Sequence, residues 1–113
     1  MLDEVYTAMS QSSLRGPVRI AEVKSGMREL TVVGRILSIS ETRRVVTRFG
    51  PATVAMARLQ DESGEVPLNL WRDQISKVRV GDIVKLENAF VNVFNYKNEL
   101  SLGKDGRITV LSR

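Results

Sequence analysis

The sequence predicts an all-β domain, a five-stranded Greek-key barrel preceded by a short N-terminal helical or flexible extension. Five β-rich runs succeed one another between Leu30 and Leu102, separated by turns rich in Gly, Asn and Asp. From Glu29 onward no window carries a long helical period. Gly34 interrupts the first run, where a long strand must bend to curl into a barrel corner. With 113 residues and 42% apolar side chains, the chain has enough material for one small core. The extension is expected over residues 1–17 and the barrel over 18–113.

Within the extension, Leu2, Val5, Tyr6 and Met9 share one face of a short amphipathic helix, too short to be stable alone in water. Ser10–Ser13 and Gly16-Pro17 read as a linker. The first strand covers Leu30–Ser40. Glu41–Pro51 is a basic loop or hairpin closing at Gly50-Pro51, and Ala52–Gln60 is the second strand. Asp61-Glu62-Ser63-Gly64 is a turn. In Glu65–Trp71, Val66, Leu68 and Leu70 take one face and Pro67, Asn69 and Trp71 the other. Pro67 donates no ladder hydrogen bond, so this strand lies at an edge or a bulge there.

The fourth strand, Ile83–Phe94, is the most informative. Val84 and Leu86 are its first apolar set, but Ala89, Val91 and Val93 are the next, so the parity switches near Glu87-Asn88. One face stays buried through such a switch only if the strand carries an extra residue, a β-bulge. Phe90, Asn92 and Phe94 then point to the other face. Asn95–Asn98 is a hairpin loop, Glu99–Leu102 the fifth strand, and Arg107–Leu111 a further short strand or terminal extension.

Composition excludes several chemistries. There is no Cys and no His, which removes disulfides, thiolate nucleophiles, Cys-based zinc sites, and the commonest general base and metal ligand. No metal and no cofactor is expected, and catalysis is not. No apolar run nears the roughly 20 residues of a membrane helix. The acidic start Met1–Glu4 is unlike a signal peptide, so a cytoplasmic, nucleoid-associated protein is expected. Net charge is +4, unevenly spread. Arg35, Arg43, Arg44, Arg48 and Arg58 face a single acid, Glu41, in their segment, a concentration that attracts polyanions unless it merely solvates a loop.

Trp71, Phe90 and Phe94 all lie opposite their strands' aliphatic residues. Burying such rings normally stabilises a fold at roughly 25 cal/mol per Å² of apolar area. Turning them outward forgoes that gain and leaves them needing a flat cover. Nucleobases fit, since stacking is worth about 1–3 kcal/mol per base. A minor core under the N-terminal segment, or a dimer partner, would also serve.

Thr53–Trp71, with its Asp61–Gly64 turn and Leu68-Asn69-Leu70-Trp71, resembles a known family. So do Val80-Gly81-Asp82, Glu87-Asn88-Ala89-Phe90, Phe94 and Leu100–Gly103. The chain is similar, from Ile20 to Arg107, to the single-OB-fold single-stranded DNA-binding proteins of archaea and their eukaryotic relatives, and to the DNA-binding domains of replication protein A. The resemblance implies an OB fold and places base-stacking roles on Trp71, Phe90 and Phe94. Ser101 stands where some relatives carry a further aromatic, and Tyr96 at the hairpin tip is a substitute or an ordinary loop residue. Arg43, Arg44 and Arg48 in one loop and Lys97 in another are the expected backbone contacts. Arg35, Arg58 and Arg72 are weaker candidates, and Lys104 either flanks the groove or decorates a turn.

The expected function is therefore sequence-independent binding of single-stranded DNA in replication, recombination and repair. An RNA- or tRNA-binding OB domain would use the same stacking and differ in reading the 2′-OH. A protein-interaction OB subunit would instead cover its outward rings with a partner chain. Leu2–Met9 is a candidate for self-association or protein docking. No membrane partner is expected.

Overall fold

The structure, a computed structural model, describes residues 16–113. The amphipathic Leu2–Met9 segment and all but the end of the expected extension lie outside the described residues. After a 3-10 turn at Ile20–Glu22 come β1 (Leu30–Ile39), β2 (Arg43–Thr47), β3 (Gly50–Asp61) and β4 (Gly64–Trp71). A one-turn helix α1 (Gln74–Lys77), β5 (Ile83–Phe94) and β6 (Lys97–Ser112) complete the chain. The strands are ordered β1-β5-β6-β4-β3-β2, and β1 also pairs with β3. Five strands thus close on themselves, and β2 is a ribbon added to β3.

Strand alternation builds the core. Val32 and Ile36 from β1, Leu59 from β3, Leu68 and Leu70 from β4, Val84 and Leu86 from β5, and Leu100 from β6 are fully buried. β1 reaches two neighbours at once: Leu30–Arg35 pair with β5 and Arg35–Ile39 with β3. Gly34 sits at this corner, where an added Cβ would lie 2.7 Å from the Gln60 carbonyl oxygen and 2.9 Å from Leu59 Cγ. The glycine is there for close approach of two strands.

The bulge in β5 falls at Asn88. The register shifts between Glu87 and Ala89, and Asn88 takes a left-handed φ of 61°, which Asn tolerates better than most residues. Opposite it, β6 makes an excursion, Gly103–Gly106, between the pairs Ala89↔Leu102 and Glu87↔Arg107. Arg107–Ser112 is therefore the second half of one strand and pairs with the first half of β5. Val84, Leu86, Ala89 and Val91 are all buried across the switch. Val93, read from sequence as part of that apolar set, is instead 50% exposed. It lies where β5 pairs with β6 alone, in a hairpin that has left the core.

The segment Glu41–Pro51 is a hairpin whose strand Arg43–Thr47 pairs with Gly50–Val54. Pro67 is accommodated because β4 makes a full ladder with β3 but a single bridge, Leu68↔Leu100, with β6. The Asp61–Gly64 turn is organised by the Asp61 carboxylate. Asp61 accepts hydrogen bonds from the Ser63 hydroxyl at 2.6 Å and from the backbone N–H groups of Ser63 at 2.7 Å and Gly64 at 3.2 Å. It also takes the Ile20 N–H at 2.9 Å, tying the N-terminal segment to the β3–β4 turn. Partial burial raises its pKa, but these donors outweigh that and hold the carboxyl below its ordinary value.

Candidate nucleic-acid interface

Residues directly opposite across antiparallel strands share a face. The pairs Phe90↔Ser101, Asn92↔Glu99 and Phe94↔Lys97 put these six side chains on the outer face of the β5–β6 hairpin. Val54↔Trp71, Met56↔Asn69 and Arg43↔Val54 do the same for β2, β3 and β4. The two outer faces meet in a groove with Trp71 and Phe94 among its walls, Arg43 at its edge, and Asn69, Asn92 and Glu99 lining it between them. Phe94 is 60% exposed and Trp71 half-buried. Trp71 is held at the strand end by its own N–H, which donates to Gln74 Oε1 at 2.8 Å, and by the Arg72 N–H, which donates to the Thr53 carbonyl at 2.9 Å.

Phe90 lies on the same face but outside that groove. Its ring packs over Gly103 and lines the neighbouring clefts with Arg28 and Lys104. The three rings therefore occupy two adjacent depressions, not one shared groove. Ser101 is buried and accepts a hydrogen bond from Asn69 Nδ2 at 3.1 Å. Tyr96 is fully exposed at the tip of a two-residue turn, where Asn95 and Tyr96 have φ of 52° and 64°, the type I′ geometry that suits hairpins.

Alternation separates the neighbouring arginines. Arg43 enters the groove; Arg44 points to the opposite face, where it lines a shallow cleft with Arg72, Pro51 and Thr53. Arg48 is at the hairpin tip with its guanidinium 5.6 Å from the Phe49 ring centroid. Lys97 is exposed beside Phe94. Arg35 donates to the Gly81 carbonyl at 2.9 Å, and Arg58 pairs with Glu65 at 3.1 Å, so both are engaged in holding surface structure.

Sequence reading did not single out Arg28, Asn69, Asn92 or Glu99. Alternation already placed Asn69 beside Trp71 and Asn92 between Phe90 and Phe94. For Glu99 and Arg28 the cross-strand register and the path of the N-terminal segment were needed. Glu99 is only 8% exposed and accepts from Asn69 Nδ2 at 2.9 Å.

The chain has relatives in sequence and in fold. The family profile described as "Single-stranded DNA binding protein Ssb-like, OB fold" matches residues 23–110. The chain is 32% identical to the single-stranded DNA binding protein Ssb of Saccharolobus solfataricus over 83% of its own length and 64% of that protein. It is 35% identical to replication factor A of Methanothermobacter thermautotrophicus, covering 81% of this chain and 12% of that protein. This chain thus spans less than two thirds of either relative. In three dimensions it is similar to an OB domain from Thermoplasma acidophilum, with a TM-score of 0.75 at 23% identity, over 85% of this chain and 87% of that one. By the profile match over most of its length, the chain belongs to the Ssb-like OB-fold family of single-stranded DNA binding proteins.

Proposed function

We propose that this chain binds single-stranded DNA with little dependence on sequence, stacking bases on Trp71 and Phe94 and, in the adjacent cleft, on Phe90. Arg43 and Lys97 neutralise phosphates at the groove edge, with Arg28 and Lys104 doing so beside Phe90. The observation that carries this reading is the pairing of two outward rings, Trp71 and Phe94, in one groove with Arg43. Rings left outward from a core forgo burial, and a stack of unpaired bases supplies it. The name of one relative, a single-stranded DNA binding protein, supports the same ligand. We read the chain as a binding module without catalytic activity, serving to cover single strands during replication, recombination and repair.

Trp71 is the sole tryptophan, so its fluorescence reports on the groove directly. Titration with an oligo-dT of eight nucleotides should quench it saturably. An emission that stays constant while the oligonucleotide reaches high micromolar concentration would overturn the proposal.

A further inference from the structure

Glu99 is an odd residue to find at the bottom of a groove that receives a polyanion. It sits on β6, the strand between β4 and β5, directly opposite Asn92 and beside Asn69. At 8% exposure it is largely removed from solvent. Among the described residues no Lys or Arg lies within ion-pair distance of it, and its hydrogen-bond donor is Asn69 alone, at Oε1. An ionised carboxylate offers about four acceptor sites and no donor. Most of that capacity has no protein donor among the described residues, and Glu99 lines the groove together with Trp71 and Phe94. Asn69 cannot supply more, because its amide already serves both Glu99 and Ser101.

A base stacked against either ring turns its edge, not its face, to this floor. A buried acceptor with no partner is costly, and one facing another acceptor is worse. Cytosine, adenine and guanine each carry an exocyclic amine that donates outward from the ring edge. Thymine carries none: its one donor, N3–H, lies between two carbonyl oxygens, which would confront the carboxylate. We propose, resting on the single-strand-binding reading above, that Glu99 gives the groove a bias for amine-bearing bases over thymine. The bias is modest, laid over a sequence-tolerant stacking surface.

The test uses a matched pair of bases. Eight-nucleotide oligomers of thymidine and of 5-methyl-deoxycytidine have the same ring size and the same methyl group. They differ in the exchange of a C4 carbonyl for an amine and of N3–H for a lone pair. Binding of labelled oligomers to the full chain is followed by fluorescence anisotropy near pH 7.5. The 5-methylcytosine oligomer should bind tighter by about fivefold, the lower end of what one specific base contact gives. Glu99→Gln keeps an acceptor for Asn69 and adds a donor that thymine O4 can use, so the ratio should fall to about one or reverse. An N4,N4-dimethylcytosine oligomer, which has no amine proton, should lose the advantage with the unaltered protein and so needs no variant to fold. Equal binding of the first two oligomers, or tighter thymidine binding, would overturn the bias while leaving single-strand binding intact. So would a Glu99→Gln variant that binds both more tightly by one common factor, since Glu99 would then act only as a charge repelling phosphates. No binding of any oligomer would remove the single-strand reading and the bias with it.

Discussion

Asn69 donates its side-chain amide to Glu99 at 2.9 Å, across two strands that share one backbone bridge, Leu68↔Leu100. The closed sheet is thinnest in backbone pairing at this seam, and a side-chain network there, Glu99–Asn69–Ser101, reinforces it. Two members of that network, Asn69 and Glu99, also line the groove. On the proposed function, stability and ligand chemistry are therefore coupled at Asn69. Asn69→Ala should lower unfolding free energy by about 2 kcal/mol, the range for losing a hydrogen bond to a charged group and stranding its acceptor. Asn69→Asp should cost more, by setting two carboxylates together. Urea denaturation followed by Trp71 fluorescence measures both, and an Asn69→Ala midpoint equal to the parent's would disprove the coupling.

Trp71→Ala and Phe94→Ala should each weaken oligonucleotide binding by about 1–3 kcal/mol, roughly 5- to 150-fold, with little change in stability. Phe90 should behave differently with ligand length. At about 3.3 Å per residue along β5 it lies on the order of 13 Å from Phe94, in a separate depression that a trinucleotide seated on Trp71 and Phe94 does not fill. Phe90→Ala should therefore leave trinucleotide binding nearly unchanged and weaken octanucleotide binding. Equal effects at both lengths would place all three rings in a single subsite.

Arg43 and Arg44 are adjacent in sequence and opposed in space. Each phosphate neutralised on a single strand adds about −0.7 to the slope of log K against log salt. Arg43→Ala should flatten that slope by about this amount, and Arg44→Ala by much less. Affinity measured from low to high salt decides it; a larger change for Arg44 would move the strand path to the other face of the hairpin.

Asp61 links folding to acid pH. Its folded-state pKa lies below the unfolded value, so its contribution is complete above the ordinary Asp range near 3.8 and is lost as pH falls through the lower folded value. Asp61→Asn should lower stability at neutral pH by about 1 kcal/mol, the small end for a carboxylate still in contact with solvent. It should also show a shallower loss of melting temperature below about pH 4. Parallel acid profiles for the two proteins would show that the four donors around Asp61 do not favour its charge.

Asn88 holds the bulge that reverses the parity of β5. Asn88→Gly should be nearly neutral, because glycine adopts the left-handed conformation freely. Asn88→Val should cost about 1–2 kcal/mol, since a β-branched residue is strained at that φ. Thermal melts of the two variants test this, and equal stabilities would show that the bulge relaxes without penalty.

Much of this protein was legible in its linear pattern. Period-two alternation located β4 and β5, and the parity switch at Glu87-Asn88 located the bulge. It placed Trp71, Phe90 and Phe94 opposite the aliphatic core, because a side chain's face is a local property of a strand. Gly34 marked the corner of β1, although the reason, a carbonyl 2.7 Å from where its Cβ would sit, belongs to the packing of β3. Whether Phe90 shares a groove with Phe94, and which of two neighbouring arginines enters it, could not be read that way. Those answers depend on how β4, β5 and β6 come together. Glu99 is the plainest case: in sequence it is one charged residue among several at a hairpin. Only the pairing of β6 between β4 and β5 takes its carboxylate out of water and sets it in the groove. Alternation is written in neighbouring residues, whereas burial of a charge is decided by strands that meet from far apart in the chain.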